Sequence, residues 1–183
     1  MPNQQAEAMV RLIAPKRATG MSLNMRNSTM TERAMATLNQ TLRDPKFYLV
    51  GLDLRFCYLN FDDILKLANG IKINTTLVKL DLSSNALVQC YAKFLLEELI
   101  DNTCLADLRL ANNLLDDEFA VDLALLLEQN QILHTIDLSN NPISEDGGKY
   151  LLQSLLQYND TIESLGDLDK NEFMGVRTRE DIK

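Results

Sequence analysis

Seven ionisable side chains sit at matching places between large aliphatic ones. They are Asp53 and Arg55, Lys79 and Asp81, Asp107 and Arg109, and Asp137. The triplets Leu52-Asp53-Leu54, Leu80-Asp81-Leu82, Leu108-Arg109-Leu110 and Ile136-Asp137-Leu138 repeat one design, and Leu23-Asn24-Met25 is a weaker copy upstream. On neighbouring strands such residues would stand about 4.8 Å apart, close enough to perturb one another's ionisation. Proximity alone does not make an acid/base pair. His134 is the single histidine, and no Ser or Cys nucleophile can be set beside it from the sequence. Neither GxxxxGK[ST] nor GxGxxG occurs, and Gly147-Gly148 suits close helix packing better than a phosphate. Asp116-Asp117-Glu118 fits a helix N-terminus better than a cation. Cys57, Cys90 and Cys104 contain no CxxC, so neither a zinc site nor a disulfide framework is expected, and reduced thiols fit best. The expectation is a protein without catalytic residues, cofactor, metal or small-molecule substrate. The central column Asn24, Asp53, Asp81, Arg109 and Asp137 remains as a mostly acidic groove with a basic interruption, suited to a basic peptide or helix, or its aspartates as ordinary solvated surface.

These residues are positioned by a repeat. Leu77, Leu80, Leu82, Asn85 and Leu87 recur as Leu105, Leu108, Leu110, Asn113 and Leu115, and again as Leu133, Ile136, Leu138, Asn141 and Ile143. A first copy runs from Leu49 through Leu52, Leu54 and Cys57 to Leu59. Starts at 49, 77, 105 and 133 are 28 residues apart, a period that marks a solenoid. Each strand-like segment precedes an apolar stripe at helical spacing, such as Ala92, Leu95, Leu96 and Leu99. Acidic or capping residues open these helices, as at Asp62-Asp63 and Ser144-Glu145-Asp146. Asn74, Asn102 and Asn130, also 28 apart, are expected to close them in a left-handed backbone.

The pattern LxxLxLxx(N/C)xL followed by a helix resembles leucine-rich repeats of the ribonuclease-inhibitor-like class. The resemblance covers about residues 20–170. It implies an α/β horseshoe arc, with a parallel β-sheet on the concave face and α-helices on the convex face. Asn85, Asn113 and Asn141, with Cys57 as first rung, are expected to form a ladder pairing backbone groups where the chain leaves each strand. The domain plan is a basic extension over 1–19, a degenerate capping repeat over 20–48 and four repeats over 49–160. A degenerate C-terminal capping repeat over 161–171 and a tail over 172–183 complete it.

Charge is unevenly spread. Residues 1–50 carry seven Lys/Arg against three Asp/Glu, whereas residues 51–183 carry eleven against twenty-three. An acidic body argues against nucleic acid, and no apolar run is long enough to span a membrane. In the extension, Met9, Val10, Leu12 and Ile13 form an apolar cluster among Arg11, Lys16 and Arg17. It either caps the solenoid or docks on a partner.

The repeat resemblance implies a non-enzymatic protein-binding scaffold or structural subunit of a larger assembly. Its relatives include ribonuclease inhibitor, actin-filament-capping proteins, innate immune receptors and small axonemal or cytoskeletal subunits. A cytoplasmic, cytoskeletal or ciliary place is expected, with partners held by the concave face, the strand-exit loops and the extension. Two alternatives stay open. One is a regulator of a small GTPase, resembling the GTPase-activating proteins for Ran and offering Arg55 or Arg109. The other is an accessory subunit of a mitochondrial complex, suggested by the basic N-terminus.

Overall fold

The computed structural model describes residues 20–166. The extension over 1–19 and the tail over 172–183, with Arg11, Lys16 and Arg17, therefore lie outside the described residues.

Strand and helix alternate five times. The order is β1 (Met21–Asn24), α1 (Glu32–Arg43), β2 (Leu49–Asp53), α2 (Phe61–Ile73), β3 (Lys79–Asp81), α3 (Gln89–Leu99), β4 (Asp107–Arg109), α4 (Asp117–Leu127), β5 (Thr135–Asp137) and α5 (Glu145–Gln157). The strands form one parallel sheet in chain order, β1-β2-β3-β4-β5. From β2 onward, residues 28 apart lie side by side: Gly51 faces Lys79, Lys79 faces Asp107, and Asp107 faces Thr135. The chain is an α/β leucine-rich-repeat solenoid. Beyond β5 a single bridge between Thr135 and Ser164 continues the sheet, with Leu165 buried beneath it.

The repeated leucines make one continuous interior. Leu80, Leu108 and Ile136 from the sheet meet Leu95, Leu123 and Leu151 from the helices, and each is at most 1% exposed. Burying one such side chain contributes roughly 2 kcal/mol. No coil could hold this surface away from water alone, so neighbouring coils stabilise one another.

Helix starts are capped locally. Asn60 and Asp63 form a reciprocal capping box on α2, while Thr31, Asp116 and Ser144 cap α1, α4 and α5. α3 begins at Val88 with no side-chain cap. Gly147 is required by packing: a Cβ there would strike Asp117 and would lie 3.1 Å from Ala120.

The helix ends correct one expectation. Asn74 has φ −75° and ψ 136°, extended rather than left-handed. Left-handed residues fall instead just after the strands, at Asn27, Phe56, Ser84, Asn112 and Asn140, and again at Tyr58 and Ala86. The side chain, not the backbone, explains the asparagines at the helix ends. Asn74 Oδ1 accepts the N–H groups of Thr76 and Leu77, and its Nδ2 donates to Leu42 O one coil back. Asn102, Asn130 and Asn159 repeat this link to Ile71, Leu99 and Leu127.

Candidate functional site

The strand-exit asparagines form a row of their own. Asn85 Nδ2 donates to Leu82 O in its own coil and Leu54 O in the preceding one. Its Oδ1 accepts from the Cys57 N–H at 2.9 Å. Asn113 and Asn141 repeat the pattern, and Cys57 Sγ donates to Met25 O at 3.1 Å. Burial pushes the Cys57 thiol above its ordinary pKa, which keeps it in the unreactive protonated form.

On the concave side, Asn24, Asp53, Asp81, Arg109 and Asp137 stand in register across the five strands. Beside them lie Gly51, Lys79, Asp107 and Thr135. A shallow groove of about 320 Å³ runs over β1 to β4. Its charges are spent largely on each other. Arg55 holds Asp53 through two hydrogen bonds, Nε to Oδ1 at 3.0 Å and Nη2 to Oδ2 at 2.6 Å, and reaches Asp81 at 3.2 Å. Arg109 holds Asp107 in the same forked way at 3.1 Å, and Lys79 approaches Asp107 at 3.8 Å. The Arg55 guanidinium lowers the Asp53 pKa against an opposing effect of burial. Asp53 and Asp107 in turn raise the pKa values of Arg55 and Arg109. Asp53, Asp81 and Asp137 each also accept a backbone N–H two residues on, which secures the turn out of the strand.

Four carboxylates thus face three cations, leaving one net negative charge rather than an acidic trough. Paired groups must lose these bonds before receiving a ligand's charge. Among the described residues, no group of three or more His, Cys, Asp or Glu side chains could hold a metal ion, and no helix is long and apolar enough to cross a membrane.

A different surface is apolar and unspent. The residue after each ladder position must point outward, because the ladder side chain and the next leucine both point in. These residues are Tyr58, Ala86, Leu114 and Pro142, each 28 from the last. Tyr58 is 84% exposed and Leu114 53%. Further aromatic side chains are partly exposed at Phe56, Phe61 and Phe94. Arg26 stacks over Phe56 at 5.0 Å, while the Phe61 ring centroid lies 5.6 Å from Tyr91 and 5.3 Å from Phe94. The strand-exit loops are expected from the sequence as a partner surface, and the residue x of each (N/C)-x-L is what singles out these positions within them.

No protein-family model matches the sequence. Among solved structures the fold is similar to actin-binding site 2 of leiomodin-1, with a TM-score of 0.69 at 15% identity, covering 85% of this chain and 87% of that one. It is also similar to the C-terminal domain of Caenorhabditis elegans tropomodulin, with a TM-score of 0.62 at 13% identity, covering 97% of this chain and 88% of that one. At these identities the likeness is one of fold.

Proposed function

We propose that this protein is a non-enzymatic protein-interaction module, a scaffold or structural subunit of a cytoskeletal assembly, and that the strand-exit row is its principal contact surface. The carrying observation is the exposure of Tyr58 and Leu114 in a column that the repeat forces outward. Exposed aromatic and aliphatic side chains are what protein interfaces use as anchors, Tyr above all. Asp62, Asp116 and Glu118 are exposed at the adjoining helix starts and would favour a partner with basic residues around an apolar centre. Actin is the first partner to try, because leiomodin-1, whose actin-binding site 2 shares this fold, is described as binding it.

The concave residues Asp53, Arg55, Lys79, Asp81, Asp107, Arg109 and Asp137 serve in this proposal as a polar margin rather than the anchor. Regulation of a small GTPase through Arg55 or Arg109 has no supporting observation, since both guanidiniums are held by aspartates. A ciliary or axonemal setting rests on the repeat resemblance alone. Crosslinking mass spectrometry of the native complex tests the proposal. Links at Lys93, next to Phe94 in α3, are expected to join a cytoskeletal protein; links confined to Lys79 on the concave face would contradict it.

A further inference from the structure

One residue of the strand-exit loops breaks the rule its column keeps. The first left-handed position after each strand is Asn27, Ser84, Asn112 or Asn140 in four coils, small polar side chains suited to that backbone. In the second coil it is Phe56, at φ 56°. Two residues on, Tyr58 is left-handed as well, at φ 53°. A bulky side chain is disfavoured at positive φ. The Phe56 N–H also makes the longest bond of its row, reaching Ser83 O at 3.4 Å, against 2.9, 2.9 and 2.8 Å for Asn27, Ser84 and Asn112. Neither ring has a place in the core: Phe56 is 36% exposed and Tyr58 84%. Strain of this kind points to a use for the side chain that lies outside the fold itself.

What Phe56 holds is Arg26, whose guanidinium lies over the ring at 5.0 Å from its centroid. Arg55 and Arg109 are held by aspartates, whereas no carboxylate among the described residues comes within ion-pair distance of Arg26. Asp53 senses the Arg26 charge, but less than that of Arg55, which holds it directly. The Asn24 side chain accepts from the Arg26 backbone N–H and not from the guanidinium. Stacking thus fixes the plane of an exposed guanidinium and leaves its edge of donors open. We propose that Arg26, seated on Phe56, receives a side-chain carboxylate of the protein partner; this rests on the strand-exit row being the contact surface. A carboxylate matches the guanidinium fork with two parallel hydrogen bonds. The row then differs in sign along its length. Arg26 marks the first coil, and exposed acids run from Asp62 in the second coil to Asp116 and Glu118 in the fourth. Three coils span roughly 14 Å at the spacing of neighbouring strands. The partner is thereby oriented, with an acidic residue at Arg26 and basic residues at Asp116 and Glu118, about ten residues apart if the contacting segment is a helix.

Arginine modification by phenylglyoxal, followed by mass spectrometry, compares the full chain alone with its native complex. Arg26 is expected to react at least about fivefold more slowly in the complex, while Arg43 at the end of α1 is unaffected. Retention of the partner should follow charge at this one position. Arg26→Lys is expected to stay close to the parent chain, Arg26→Gln to fall below it, and Arg26→Glu to bind at least about tenfold more weakly. The side chain is exposed, so the thermal midpoints should stay within about 2 °C of the parent; if Arg26→Glu unfolds, Arg26→Gln carries the comparison. Equal reactivity of Arg26 in both states would overturn the proposal, as would full retention by Arg26→Glu. Recovery of Arg26 reactivity after phosphatase treatment of the complex would assign a phosphate in place of the carboxylate and also overturn it. Loss of the partner from Tyr58→Asp/Leu114→Asp, with Arg26 unprotected in the parent complex, would remove this inference alone. A partner retained by that row variant, or a chain that has no partner, would remove the row and the inference together.

Discussion

Asn113 Oδ1 accepts the backbone N–H groups of both Asn85 and Leu87, each at 3.0 Å, across one full coil of the solenoid. Its Nδ2 meanwhile donates to Leu82 O and Leu110 O at 3.2 and 2.9 Å. One side chain therefore bonds four backbone groups outside the strand ladder, sharing Leu82 O with Asn85 and Leu110 O with Asn141.

Replacing it tests that role. Asn113→Leu keeps the branched heavy-atom outline but strands the Asn85 and Leu87 N–H groups, at about 1–3 kcal/mol for each that stays buried, while Leu82 O and Leu110 O keep Asn85 Nδ2 and Asn141 Nδ2. A total near 3 kcal/mol or more is expected, lowering the thermal midpoint by roughly 6–12 °C. Asp81→Ala, on a partly exposed carboxylate, should cost under about 1 kcal/mol. Thermal unfolding of the two variants with the reverse order would contradict the assignment.

The row at the helix ends should matter as much. Asn102 accepts from Cys104 N and Leu105 N at 3.0 and 2.8 Å and donates to Ile71 O at 3.0 Å. Asn102→Leu is expected to lower the midpoint by at least half the Asn113→Leu effect. A loss of only a few tenths of a kcal/mol, the ordinary cost of a changed helix terminus, would show that the links between coils carry little.

Much of this architecture was legible before any coordinates. The 28-residue interval that aligns Leu80, Leu108 and Ile136 dictates parallel strands in chain order, because the chain advances one coil per period. The asparagines at 74, 102 and 130 were equally visible, but a helix-ending asparagine has two physical uses, and sequence does not say whether backbone or side chain is employed. The concave charges were legible in position but not in pairing. Sequence placed Asp53 and Asp107 on one face, but not that Arg55 and Arg109, two residues further along the chain, would fold back onto them. Tyr58 and Leu114 were hidden by their apolar character, which in a leucine-rich chain looks like core.

The left-handed turn residues offer a stabilising change. Ser84 has φ 60°, where Asn112 and Asn140 stand in the next coils. Asn tolerates this backbone better than Ser, and Asn140 Nδ2 already donates to Asn112 Oδ1 at 3.0 Å. Ser84→Asn should add a rung to that outer row and raise stability by about 0.5 kcal/mol, seen as a midpoint 1–2 °C higher. A lower midpoint would mean that Ser84 makes a contact worth more than the strain.

Acid sensitivity has a predicted origin. Arg55 holds the Asp53 pKa below its ordinary value, so this carboxylate binds fewer protons folded than unfolded. Its contribution is present above the unfolded pKa of about 3.9 and is lost as pH falls through the lower folded value. Asp53→Asn should therefore flatten the fall in stability below about pH 4, as followed by urea unfolding. A slope equal to that of the parent chain would place the acid sensitivity elsewhere.

The central claim, that partners are held by the strand-exit row, meets its most direct test in binding measurements with purified actin, comparing the parent chain with two variants. Tyr58→Asp/Leu114→Asp should weaken binding by about 2 kcal/mol or more, roughly thirtyfold, whereas Lys79→Ala/Asp137→Ala on the concave face should change it less than about threefold. Loss of binding in the concave variant with the row variant unaffected would contradict the account, and no binding by the parent chain would remove actin as the partner.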